Sequence, residues 1–295
     1  MSVTLERPRT GGSPVVQRRK QSWQRTLYWI ATHAVGIALG VMFTLPVLLV
    51  LLTSFMESDQ AMTASVWPTV WHFENFAEVF ERAPMLRYMI NSLLYSLLAT
   101  LGILVSAVPA AYALAKLKWR GQNLAFSLVV VAMMLPPQVT VVPLFDLWVR
   151  MGLTGTLAPL IVPYFLFDAF SIFLLRQFFL TIPKDYLDAA RIDGCSEFRV
   201  LTKVVMPMAK PGIAAAAMFC FLFTWNDYFG PLLYTAENRE SWTLSLAIAS
   251  FRGMHHVEWN LTMAATVLTL LPAIVLFVVA QKSLVKGITF TGVKG

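Results

Sequence analysis

The sequence predicts an all-α integral membrane protein with six transmembrane helices. Both termini fall on the cytoplasmic side, and a cytoplasmic helix-turn-helix lies between helices 4 and 5. Three observations carry this prediction: apolar runs long enough to cross a bilayer, a one-sided distribution of Lys and Arg, and one charge-dense insert between the fourth and fifth runs.

The apolar runs come first. Hydrophobic residues make up 57% of the 295 residues and charged residues only 13%, with a mean hydropathy of +0.65. A soluble domain of this length has no use for so much apolar surface. A spanning helix needs about 20 mostly apolar residues, and only helices or closed barrels satisfy their backbone inside lipid. The runs are continuous rather than alternating, which selects helices. No charge interrupts Arg25 to Glu57, Arg87 to Lys116, Arg120 to Asp146 or Glu258 to Lys282. Arg150 to Arg176 holds only Asp168, and Lys210 to Glu237 holds only Asp227. The expected spans are therefore 28–55, 88–115, 123–147, 157–179, 210–233 and 261–281.

Orientation follows from the cations. With the N-terminus inside, 18 of the 23 Lys and Arg fall on the cytoplasmic side and 5 outside. The net charge of +7 is thus a matter of topology, not of nucleic-acid binding. Residues 1–25 read as a flexible basic tail suited to anionic lipid, and residues 286–295 as a C-terminal cytoplasmic tail. The span between them, 26–285, is one membrane domain. The run after Arg18-Arg19-Lys20 is too long for a signal-peptide core, so it reads as an uncleaved first span. Cys195 and Cys220 fall inside the cell and inside the membrane, where a structural disulfide is not expected.

Prolines punctuate the spans at Pro46, Pro109, Pro143 and Pro272, and the Pro136-Pro137 pair is expected to bend the third span sharply. Of the outer loops, 56–87 carries Trp67, Trp71, Phe73 and Phe76 as interface anchors, with a short amphipathic helix over 75–80. The other, 234–260, carries His255-His256; neighbouring His do not share a helix face, so no metal site is expected.

The charge-dense insert is PKDYLDAARIDGCSEFRVLTKVVMP, residues 183–207. Pro183 suits a first helical position, and Asp185 and Asp188 sit where the helix dipole favours acids. Leu187, Ala189 and Ala190 form a small apolar face. Gly194 ends the helix, and Ser196 can cap a second one running to Met206, stopped by Pro207. Phe198, Leu201, Val204 and Val205 are expected to seat it on the spans. A plain connector would be shorter and uncapped.

Intramembrane acids default to functional hypotheses. Asp168, within the fourth span, either lines a polar cavity or makes a structural hydrogen bond. Trp225, Asn226, Asp227 and Tyr228 combine amide, carboxylate and aromatic groups, a set suited to hydroxyl-rich ligands; the alternative is that Asp227 only caps a helix end. Together these are the substrate-path candidates. The sequence holds no phosphate loop, no His-Glu-x-x-His and no Gly-x-Ser-x-Gly, so no catalytic residue and no bound cofactor is expected.

At Asp188-Ala189-Ala190, followed by Gly194 and the Val205-Met206-Pro207 step, the chain resembles the permease subunits of ATP-binding-cassette importers, with Asp188 where the family pattern has Glu. Other stretches narrow the likeness to carbohydrate importers and their second, maltose-system-like permease: NSLLYS (91–96), AAYALAKLKWRGQ (110–122), MMLPPQVTVVPLF (133–145), FTWNDYFGPL (223–232) and the tail QKSLVKGITFTGVKG (281–295). The resemblance implies that Asp188, Ala189, Ala190, Asp193, Gly194, Glu197 and Arg199 form the surface that couples to a cytoplasmic ATPase. It further implies a homologous second permease, two ATPase subunits that use ATP and Mg, and an extracytoplasmic solute-binding protein, at the plasma membrane of a prokaryote. The rival reading is an ion-coupled secondary transporter, which predicts inverted repeats and more membrane carboxylates than the two here.

Overall fold

The computed structural model describes residues 15–251 and 257–289. In chain order the helices are α1 (Val15–Thr53), α2 (Glu74–Arg82), α3 (Met85–Lys116), α4 (Gln122–Met134), α5 (Pro137–Arg150), α6 (Ala158–Leu166) and α7 (Ala169–Thr181). They continue with α8 (Lys184–Ile192), α9 (Glu197–Val200), a π-helical turn at Leu201–Val205, α10 (Met206–Met208), α11 (Lys210–Trp225), α12 (Phe229–Thr235), α13 (Leu244–Ser250) and α14 (Trp259–Thr289). Among the described residues, four helical stretches are long and apolar enough to cross a bilayer: Arg25–Thr53, Met85–Lys116, Ala158–Thr181 (α6 with α7) and Trp259–Val278. Two sharply bent pairs bring the number to as many as six.

Three expected spans are broken, each for a local reason. The third divides into α4 and α5, which meet at 95°. Leu135 and Pro136 each precede a proline and are pushed extended, with ψ of 122° and 133°. The fourth breaks at Phe167-Asp168, both extended, where the Asp168 carboxylate accepts the Ser171 N–H at 2.8 Å and starts α7. The fifth stops at Trp225 and resumes at Phe229. By contrast, Pro46, Pro109 and Pro272 leave their helices continuous. Helix α1 begins at Val15, so the expected tail boundary at residue 25 falls inside a helix. No Gly or Pro lies between Val15 and Arg25 to stop it. At the other end α14 continues past residue 285 to Thr289. Residues 1–14, His255-His256 and 290–295 lie outside the described residues.

Helix α3 is the axis of the bundle and packs on α6, α7 and α11. Its inward face carries a row of small buried residues, Ser92, Ser96, Ala99, Gly102, Ala107 and Ala111, beside larger ones such as Tyr95, Ile103 and Tyr112. That is how helices approach closely in lipid. At Gly102 the approach is backbone to backbone: an added Cβ would lie 2.9 Å from the Tyr164 carbonyl carbon and 3.0 Å from the Phe165 nitrogen. Polar cross-links then fix the register. Ser106 Oγ donates to the Tyr164 carbonyl at 2.9 Å, Arg176 Nε to the Leu114 carbonyl at 3.1 Å, and Lys116 Nζ to the Ile182 carbonyl at 2.6 Å. At the opposite end, Asn91 Nδ2 donates to the carbonyls of Glu240 and Trp242, and Ser92 Oγ accepts the Leu244 N–H. The short helix expected over 75–80 is α2. Its Asn75 is buried, with Nδ2 donating to the carbonyls of Ser54 and Met56, so it clamps the end of α1. Trp67, Trp71 and Phe73 are exposed, the latter two packed around Phe55.

This packing makes a graded prediction. Gly102→Ala overpacks the α3–α6 contact and costs about 1–3 kcal/mol, read as a lower thermal midpoint of the detergent-solubilised protein. Gly36→Ala, where an added Cβ meets nothing within 4 Å, leaves the midpoint unchanged or slightly raised.

Candidate coupling segment and solute path

The insert at 183–207 folds as a rooted helix-turn-helix. Pro183 stands just before the first helical residue, at the N-cap, with ψ of 141°. Helix α8 ends in a Schellman turn: the Cys195 N–H reaches the Ala190 carbonyl and the Gly194 N–H the Arg191 carbonyl, both at 3.0 Å. Gly194 has φ of +80°, the left-handed conformation that turn requires. Ser196 holds the N-cap position of α9 through its backbone alone, with no side-chain cap bond. The second helix runs through the π turn and past Pro207 to Met208. Pro207 lies in the last turn of this continuous helix, directly after the π turn, and the helix ends one residue beyond it at Met208. The chain then turns 83° at Ala209 into α11.

Leu187, Ala190, Val200, Leu201 and Val205 are buried in the main core and root the segment. Ala189 and Phe198, expected on that seating face, point away from it: their helices present Leu187 and Ala190, and Val200 and Leu201, to the core instead. Ile192 and Phe198 are 87% and 74% exposed. Asp188, Ala189, Asp193, Gly194, Glu197 and Arg199 are exposed with them, and only Ala190 of the coupling candidates is buried. An ion-pair fork organises this surface. Arg191 Nη1 donates to Asp188 Oδ1 at 2.9 Å and Arg191 Nε to Glu197 Oε1 at 2.8 Å. The Glu197 bond, then the Asp188 bond, holds the guanidinium pKa above its usual value. Arg191, then Tyr112, holds the Glu197 carboxyl below its usual value. Tyr112 of α3 donates to Glu197 Oε2 at 2.5 Å.

The path candidates lie at the helix breaks. Asp227 sits between α11 and α12, its Oδ1 accepting the Gly230 N–H at 3.1 Å and its Oδ2 the Tyr95 hydroxyl at 2.9 Å. Its backbone carbonyl takes Ser245 Oγ at 2.5 Å. Asn226 and Tyr228 beside it are exposed. Trp225 is buried, stacked on Phe221 at 5.7 Å with Nε1 donating to the Thr269 carbonyl, so it faces α14. Asp168 makes its structural hydrogen bond and also lines a cavity of about 530 Å³ with Tyr164, Phe170, Ser171, Phe219 and Phe223. Tyr95 therefore ties α3 to Asp227, and Tyr164, whose backbone carbonyl takes Ser106 of α3, lines the Asp168 cavity. Charge scanning missed both Tyr95 and Tyr112. Their signal is subtler: a tyrosine on the buried face of an apolar helix needs a partner for its hydroxyl.

The turn at Gly194 supports a clean test. An added Cβ there meets nothing within 4 Å, so only the backbone conformation resists substitution. Gly194→Val costs about 1–2 kcal/mol of local stability and speeds amide exchange across 184–200, whereas Gly194→Asn, tolerant of that conformation, changes exchange less. Membrane insertion is unchanged in both.

Comparison with known proteins agrees with this architecture. Residues 100–290 match the family described as "Binding-protein-dependent transport system inner membrane component". The chain is 30% identical over 281 residues to the arabinooligosaccharides transport system permease protein AraQ of Bacillus subtilis, covering 94% of this chain and 99% of the relative. It is 33% identical over 278 residues to the trehalose transport system permease protein SugB of Mycobacterium tuberculosis, covering 92% and 99%. In fold it is similar to a chain of a bacterial ABC transporter involved in the import of the acidic polysaccharide alginate, with a TM-score of 0.76, 21% identity, and coverage of 88% of this chain and 97% of that one. The chain therefore belongs to the binding-protein-dependent transport system inner membrane components, the permease subunits of ABC importers.

Proposed function

We propose that this chain is the translocating permease of an importer for a sugar or sugar-like solute in a prokaryotic plasma membrane. It crosses the membrane six times between residues 26 and 285, with both termini and the 183–207 segment on the cytoplasmic side; the 18-to-5 bias of Lys and Arg supports that topology. It is not itself catalytic. A homologous second permease completes the path, two cytoplasmic ATPase subunits use ATP and Mg, and an extracytoplasmic binding protein delivers the solute. Similar permeases are named for arabinooligosaccharides, diacetylchitobiose, trehalose and sn-glycerol-3-phosphate. That range supports the class of solute.

One observation carries the coupling role. A segment rooted by five buried apolar residues holds Ile192 and Phe198 out in the open, beside the acids Asp188 and Asp193. Large apolar side chains on a stiff, charged projection suit insertion into a cleft of a partner protein. The partner receives the apolar tip, and the Schellman turn and the Arg191 fork keep the projection from yielding under load. Along the path, Asn226, Asp227, Tyr228 and Asp168 offer hydroxyl-binding groups at helix breaks, with Trp225 supporting them from behind.

Two experiments test this reading. Uptake by cells depleted of ATP, with the proton gradient held, stops; continued uptake instead favours the ion-coupled rival. Replacing Ile192 and Phe198 by Ala removes contacts worth about 1.5–3 kcal/mol each when buried. The ATPase subunits then co-purify less well with an otherwise intact pair of permeases.

A further inference from the structure

Two tyrosines of α3 touch the two regions assigned to coupling and to the solute path. Tyr112 is 4% exposed, and its hydroxyl donates to Glu197, the carboxylate that Arg191 ties to Asp188. Tyr95 is 2% exposed, and its hydroxyl donates to Asp227 in the break between α11 and α12. Along one continuous helix the two positions are separated by about 25 Å. We propose that α3 is a strut with Tyr112 and Tyr95 as its two positioning residues, carrying displacement of the coupling segment to the break at Asp227. The proposal rests on the coupling role of 183–207.

Three features favour this over two incidental buried hydroxyls. The partners are both carboxylates, which accept stronger hydrogen bonds than neutral acceptors do. Each partner also belongs to a junction rather than to a helix interior: Glu197 opens α9, and Asp227 holds the start of α12 through the Gly230 N–H. The helix joining them is confined along its length, with its small-residue face on α6, α7 and α11 and no spare room at Gly102. Apolar seating fixes where the coupling segment rests. Lys116 fixes the entry of the segment at the Ile182 carbonyl, and the Tyr112 bond fixes its second helix relative to α3, because Leu187, Val200 and Val205 make no directional contact. At the far end the backbone of the junction bonds back to Leu222 and Thr224, and Ser245 holds the Asp227 carbonyl, but the Tyr95 bond is what ties the Asp227 carboxylate to α3.

The test follows the path directly and needs no solute. The complete importer, with Cys195→Ser and Cys220→Ala, carries Asn226→Cys as a reporter and is treated with a membrane-impermeant maleimide. Labelling is compared without nucleotide and after trapping with ATP and vanadate. With both tyrosines present, trapping changes the labelling rate at residue 226. In Tyr112→Phe, and separately in Tyr95→Phe, the trapping-induced change falls by about fivefold, the factor expected for one lost hydrogen bond. Vanadate trapping itself persists. The double variant is no worse than the more affected single one, because both act on one element. An undiminished response in both variants overturns the strut, as does a double variant whose losses multiply. Loss of the assembled complex in either phenylalanine variant also overturns it, by making the hydroxyls structural. If the parent importer traps no nucleotide and shows no response, the importer reading fails instead, and the strut falls with it.

Discussion

In lipid, apolar surface gives helices little reason to associate, so a bundle is held by shape and by the few polar contacts it can place. Here that constraint falls on the face of α3 running from Ser92 to Ala111. Small side chains let α6, α7 and α11 come close, and at Gly102 two backbones nearly touch. Because α3 is gripped on that face, side chains at its ends can hold other elements at fixed angles. Lys116 and Arg176 tie its last turn to α7, and Asn91 and Ser92 tie its other end to the loop before α13.

The breaks in the other spans follow from that rigid axis. A helix broken in lipid must have its freed backbone groups satisfied by neighbours. Asp168 satisfies the start of α7 and Asp227 the start of α12, and Asp227 also takes the Tyr95 hydroxyl. The acids thus serve structure, and the solute path proposed for them passes the same two helix breaks. The 183–207 segment is the complement: rooted in the core on one face, stiffened by its Schellman turn and ion-pair fork, with Ile192 and Phe198 turned outward.

Much of this was legible in the residues. Charge-free windows located the long helices, since a charge in lipid is costly and composition reports that cost directly. The Pro136-Pro137 bend and the Gly194 turn were also legible, because both depend on backbone sterics carried by single residues. Composition could not reveal the breaks at Phe167-Asp168 and Trp225–Phe229. A hydropathy window averages across an interruption of two or three residues, and only the capping bonds of Asp168 and Asp227 mark it. The outward turn of Ala189 and Phe198 was equally hidden, because helix phase relative to the bundle is set by the partners Leu187 and Val200 find. Tyr95 and Tyr112 were invisible for a further reason: each matters through a residue far along the chain, Asp227 and Glu197.

The central claim is that the coupling segment and α3 move as one body. Spin labels at Leu86, exposed at the N-terminal end of α3, and at Lys203, on the exposed side of the π turn, measure it by electron–electron distance. The account predicts one narrow distance distribution, unchanged between nucleotide-free and ATP-trapped importer. A shift of several ångströms, or a second population on trapping, would show the segment sliding on α3 and would contradict it.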